Sequence, residues 1–152
     1  MNLFLFLVNL MLPPALASHS EARTCVNNKV VDSYQQDWRL RTADSFNISE
    51  GDTRYFMLTL ASTIEYHFIA CADAVMQDMA IVVYNDSGRI VGESDVTSRE
   101  ISMEFAPPKS SQYFVGVRAL NLVGDEEEEE GGRRRRRAED EKAGVGLAVL
   151  YR

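Results

Sequence analysis

The chain has 152 residues, 23 acidic against 16 basic side chains, and a formal net charge of -7. That length suits one domain with one core, and a mildly acidic balance is a poor match for nucleic acid or anionic lipid. Two histidines and two cysteines are a small stock for acid–base, thiol or metal chemistry.

The first residues read as an export signal, not as part of the fold. An apolar run, Leu3 to Val8 continued by Leu10-Met11-Leu12, is broken by Pro13-Pro14 and followed by Ala15-Leu16-Ala17. This is the pattern of a secretory signal peptide, expected at 1–17 with cleavage after Ala17. The run is shorter than the ~20 residues a bilayer-spanning helix needs. The expected product is secreted or periplasmic and does not stay in a membrane. Cys25 and Cys71 are then most simply a disulfide, as an isolated pair in an exported protein. The alternative is two buried thiols.

The segment 18–41 is expected to carry one helix, from Cys25 to about Leu40. Val26, Val30, Tyr34 and Trp38 recur every four residues, with Val31 widening the stripe. From Thr42 the period changes to two, and 42–152 is expected to form the main domain. Phe46 and Ile48 open a strand, and Glu50-Gly51-Asp52 is a turn. Phe56, Leu58 and Leu60 alternate with Tyr55, Met57 and Thr59. In Ile64 to Ala72, Tyr66 and Phe68 share one face while His67, Ile69 and Cys71 share the other. A one-residue shift would exchange these faces, so parity assigns Tyr66 and Phe68 to the core and Cys71 to the outside. Bonding to Cys25 would then lay the helix over Ile69.

Met79 to Tyr84 is apolar on both faces, as a central strand would be. Asn85-Asp86-Ser87-Gly88 turns it back into Arg89–Glu93. Ile101, Met103 and Phe105 form the next alternating set, ended by Pro107-Pro108. Tyr113 to Ala119 and Val145 to Tyr151 supply the last two. About eight short strands after one helix indicate an all-β protein, an antiparallel β-sandwich of jelly-roll type. Between the last two strands lies a charged insertion, 125–142, with blocks at Glu126–Glu130 and Arg133–Arg137. Its composition is that of a disordered, protease-sensitive loop.

Candidate sites are few. His19 lies near the mature N-terminus, and His67 faces outward from a strand, where packing under the helix is its expected role. The chain contains no Gly-x-Ser-x-Gly elbow, His-Glu-x-x-His pair or phosphate-binding glycine loop. No catalytic set is identified, so the expectation is not an enzyme; a small hydrolase with an unrecognised site is the remote alternative. No cofactor is expected, although Asp73, Asp78 and Asp86, near strand ends, are weak calcium candidates for a calcium-stabilised module. Asn47 and Asn85 open glycosylation triplets. Exposed aromatics, Tyr55, Phe114 and Tyr151, are the candidate contacts of a binding module for a protein or polysaccharide surface, with the core of a second layer as the alternative for Phe114.

Two longer patterns resemble a known family. One is Tyr66-x-Phe68-x-x-Cys71-x-Asp73, followed by Asp78-Met79-Ala80-Ile81-Val82-Val83-Tyr84-x-x-x-Gly88-x-Ile90-Val91. The other is Glu104-Phe105-x-Pro107-Pro108-x-x-Ser111-x-Tyr113-x-Val115-x-Val117. Together they resemble bacterial pre-peptidase C-terminal domains over about Ser45 to Tyr151. The resemblance implies a β-sandwich of the kind appended to secreted proteases, where it assists secretion or binds substrate or matrix, with calcium in some members. This chain differs in having no catalytic domain, an added helix with Cys25 and the charged insertion. It looks like a free-standing relative.

Overall fold

The computed structural model describes residues 14–123 and 141–152, with side chains from Ser20 onward. The apolar run of the export signal, the side chain of His19 and nearly all of the charged insertion lie outside them. A helix, α1 (Pro14–Tyr34), precedes eight strands: β1 (Arg39–Ser49), β2 (Thr53–Leu60), β3 (Tyr66–Ala72), β4 (Met76–Tyr84), β5 (Ile90–Glu93), β6 (Glu100–Phe105), β7 (Ser111–Leu122) and β8 (Lys142–Tyr151). The strands form two four-stranded antiparallel sheets, ordered β1-β8-β3-β6 and β2-β7-β4-β5. The all-β sandwich expected from the alternation is the fold observed.

The core lies between the sheets. Tyr66, Phe68 and Ala70 of β3 meet Met79, Ile81 and Val83 of β4 and Tyr113, Val115 and Val117 of β7 there. The opposite parity of β3 builds a second, smaller cluster outside its sheet. Ile69 and Cys71 pack there with Val26, Val30, Trp38, Ala148 and Leu150, and Cys25 is bonded to Cys71. The helix therefore covers the outer face of the β1-β8-β3-β6 sheet, as the parity argument requires. Small residues on β8 make its bed. A Cβ at Gly146 would stand 2.9 Å from Val26 Cγ2 and 3.3 Å from the Ala22 carbonyl oxygen, so a side chain there would push the helix away.

The helix differs from expectation at both ends. It begins at Pro14 and stops at Tyr34, well short of Leu40. Its buried stripe is Ala22, Val26 and Val30, whereas Val31 and Tyr34 are exposed. The stop is a Schellman turn. Asp37 adopts a left-handed conformation (φ 65°), its N–H donates to the Tyr34 carbonyl, and the Trp38 N–H donates to that of Ser33. This satisfies carbonyls that the helix end leaves open and folds Trp38 back onto Val30. The expected cleavage point after Ala17 falls within α1, ahead of every residue of that stripe.

Candidate functional site

The second sheet, β2-β7-β4-β5, has no helix over its outer face among the described residues. Its inner parity is fixed by Tyr113, Val115, Ile81 and Val83 in the core. The alternate residues must therefore face out. Register aligns them in rows across the strands. Met57 pairs with Phe114, Phe114 with Tyr84 and Tyr84 with Ile90. The next row runs Tyr55, Gly116, Val82 and Glu93, and the third runs Thr53, Arg118 and Ala80.

The first row is apolar from one edge of the sheet to the other. Its ends are exposed, Met57 by 62% and Ile90 by 53%, and Tyr55 of the next row by 54%. A register shift between Val83 and Tyr84 also leaves Val91 on the surface. Behind this margin the face is packed on itself. The Tyr55 and Tyr84 rings meet edge to face at 5.8 Å. Arg118 donates to the Tyr84 hydroxyl at 2.9 Å. A Cβ on Gly116 would lie 3.0 Å from Thr53 Cγ2 and 3.3 Å from the Tyr55 ring. Neighbouring side chains thus hide Ala80 and Val82 completely without a lid. Contiguous exposed apolar surface of this kind is characteristic of interaction sites, and Tyr, Phe, Met and Arg are the types enriched at interfaces.

Two of the three aromatics singled out in the sequence, Tyr55 and Phe114, lie on this face. Tyr151 does not. It ends β8 in the other sheet, opposite Arg39 and Tyr66. Met57, Tyr84 and Ile90 were not identified from sequence, because their convergence depends on strand order.

The other candidates are dispersed. Asp73 is buried and its carboxylate is taken up in the fold, accepting from the Gly144 N–H at 2.8 Å and the Val75 N–H at 3.1 Å. Asp78 accepts from Asn121 Nδ2 at 3.2 Å. Asp86 accepts from Lys109 Nζ at 3.1 Å and Ser111 Oγ at 2.9 Å, and these bonds hold its carboxyl below its ordinary range. Among the described residues no three His, Cys, Asp or Glu side chains gather as a metal cage would require. Asn47 is exposed on β1, whereas Asn85 uses its side-chain oxygen inside its turn, accepting from the Ser87 and Arg89 N–H groups.

His67 lies against Trp38, just beyond the helix end, with ring centroids 5.0 Å apart. The Arg152 guanidinium stacks on the same indole, 4.2 Å from its centroid, and pairs with Glu65 and Glu104. Burial lowers the His67 pKa, the Glu104 charge opposes that shift, and Arg152 reinforces it. Its Nδ1 has no hydrogen-bond partner among the described residues. The imidazole is a packing element of the Trp38 cluster.

No family model matches the chain, and no curated protein matches it. Solved structures do. The pre-peptidase C-terminal domain of a collagenase from Bacillus anthracis aligns with a TM-score of 0.50 at 15% identity, over 72% of this chain and 89% of that one. A periplasmic inhibitor of g-type lysozyme from Aeromonas hydrophila, PliG, aligns with a TM-score of 0.46 at 14% identity, over 73% of this chain and 85% of that one. The chain thus resembles the pre-peptidase C-terminal domain in fold, as its strand motifs indicated.

Proposed function

We propose that this chain is an exported, non-enzymatic binding module that engages a partner through the outer face of its β2-β7-β4-β5 sheet. The observation that carries the reading is the row Met57, Phe114, Tyr84 and Ile90, apolar across four strands, exposed at Met57 and Ile90 and half-buried at Phe114 and Tyr84. The export signal read from the sequence and a fold shared with a domain of a collagenase accord with a role outside the cytoplasm. Between the two partner classes, the face favours protein over polysaccharide. Sugar rings stack on flat aromatic platforms, but here the rings of exposed Tyr55 and half-buried Tyr84 are inclined at 61°, and the row ends in flexible Met57 and branched Ile90. Such surfaces fit the apolar side chains of a protein.

The test compares the wild-type chain with Met57→Glu/Ile90→Glu. Both residues are more than half exposed, so stability should change by less than about 0.5 kcal/mol. Each chain is immobilised and offered envelope extract, extracellular matrix proteins and insoluble polysaccharides. The expected result is a protein retained by the wild type and lost, by at least tenfold, from the variant. Equal retention by both chains would refute the assignment of this face.

A further inference from the structure

The sandwich is open on one side, where the edge strands of the two sheets face each other. β1 pairs only with β8 and β2 only with β7. Each therefore presents a row of backbone groups with no strand partner among the described residues. Between them lies a cavity of about 370 Å³ with an apolar floor of Phe56, Leu58, Leu147 and Val149. That volume is in the range of ligand pockets, about 300–1,000 Å³. One end is closed by the Phe46 and Phe56 rings, 5.4 Å apart. At the other end Arg41 reaches across from β1 and donates to the Thr59 carbonyl at 3.0 Å. The carbonyl of an edge strand is thus satisfied by a side chain in place of a strand.

The two edges are not equivalent. β1 is guarded in the manner of natural edge strands. It has a register shift between Leu40 and Thr42, and Asp44 places a charge on the same parity as core-facing Phe46 and Ile48. β2 carries one inward-parity charge of its own, Arg54, which shares the parity of Phe56, Leu58 and Leu60, but it has no register shift. It runs in unbroken register from Thr53 to Leu60, with no proline and a single charge, Arg54.

We propose that β2 is a docking edge for an extended peptide segment of a partner protein. The segment adds as an antiparallel or parallel strand beside β2. Alternate side chains enter the cavity over Phe56 and Leu58, and the others run beside Tyr55 and Met57. Charge sets the flanks of the peptide. Arg41 stands at one end of the opening and Arg54 lies over the Phe56 ring at the other, while Asp44 is the only carboxylate among the described lining residues. Apolar residues flanked by acidic ones suit that pattern. A second copy does not. Antiparallel self-pairing that matches faces opposes Arg54 to Leu58 or Leu60 of the copy, next to the copy's own Arg41 at Thr59, and like charges there are unfavourable.

The probe is a fluorescent seven-residue peptide, glutamate-valine-threonine-valine-threonine-valine-glutamate, titrated into the full exported chain. Saturable binding is expected, together with at least tenfold slower amide exchange within Thr53–Leu60. Methylating alternate peptide amides, or exchanging the terminal glutamates for lysines, should weaken binding at least tenfold. The Arg41→Ala/Arg54→Ala variant should weaken it several-fold and flatten its salt dependence. No binding at millimolar peptide, protection confined to another strand, or equal binding of the lysine peptide would each overturn the proposal. So would β2 protection that appears without peptide as protein concentration rises, which would identify a second copy. The inference is independent of the partner assigned to the sheet face. Ile90→Glu, on the far strand, should leave peptide binding unchanged even if it abolishes partner capture.

Discussion

Removing the cross-link by Cys25→Ala/Cys71→Ala tests how the helix is held to the sheet. The two cysteines are 46 residues apart in sequence, and closing a loop of that length removes unfolded-chain entropy worth ~4 kcal/mol at 25 °C in the chain-entropy model. Cys71 is fully buried, so trimming both sulfurs forfeits about 0.5–1 kcal/mol more of apolar contact. The expected loss is therefore about 4–5 kcal/mol. The exported chain, Ser18 to Arg152, has 135 residues; at about 2.1 cal/mol/K per residue its unfolding entropy is ~0.28 kcal/mol/K, so Tm should fall by about 16 °C. Calorimetry measures that fall. Amide exchange locates it, since α1 then keeps the Ala22, Val26 and Val30 contacts and two exposed ion pairs, Glu21–Arg99 and Lys29–Glu100, and should open before the sandwich does. A fall below ~4 °C, with α1 amides as protected as in the wild type, would refute the claim that the bond fastens this helix.

Two further outcomes follow from buried polar groups. Asp73→Ala leaves the Gly144 and Val75 N–H groups without their acceptor and should cost about 3 kcal/mol, with Asp73→Asn costing less, both read from denaturant midpoints. His67 gives a pH dependence: burial favours its neutral form, with Glu104 opposing and Arg152 reinforcing, whereas the unfolded chain takes up the proton near pH 6.5. The unfolded state therefore binds more protons below that pH, and stability should decline as pH falls through about 6.5 and stay level above it. The slope should be absent from His67→Phe in melts between pH 8 and 5, and an unchanged slope would remove His67 as its source.

Much of the fold was legible in period-two alternation. Parity alone separated Tyr66 and Phe68 from Ile69 and Cys71, and the structure divides them the same way. The helix boundaries were not legible, for a physical reason. Trp38 follows Tyr34 at helical spacing, and no glycine or proline marks the stop. The stop depends on Asp37 accepting a left-handed conformation, which Asp tolerates better than most residues. The first half of β1 is exposed on both faces, so Arg39 to Asp44 shows no alternation to read. The binding face was half legible. Tyr55 and Phe114 were singled out from sequence as exposed aromatics, but only the order β2-β7-β4-β5 and the register shift at Tyr84 bring Tyr84 and Ile90 beside them.

The two outer faces show why one is covered by the chain's own helix and the other is open to a partner. On β8 the outward positions include Gly144, Gly146 and Ala148, with Leu150 at the end. Residues this small cannot shield a sheet by themselves, and they stay dry only because α1 lies on them. On β7 the outward residues include Phe114 and Arg118, and the gap at Gly116 is filled by the ring of Tyr55. Large side chains there already bury Ala80 and Val82, so stability requires no lid. A helix like α1 would in any case be held off by Phe114 and the tilted tyrosines. What remains exposed after this self-packing is the ends of Met57, Tyr55 and Ile90. Such apolar surface is costly to leave in water and contributes nothing to the core. It lies on the two edge strands, β2 and β5, and is the surface on which the proposed partner would dock.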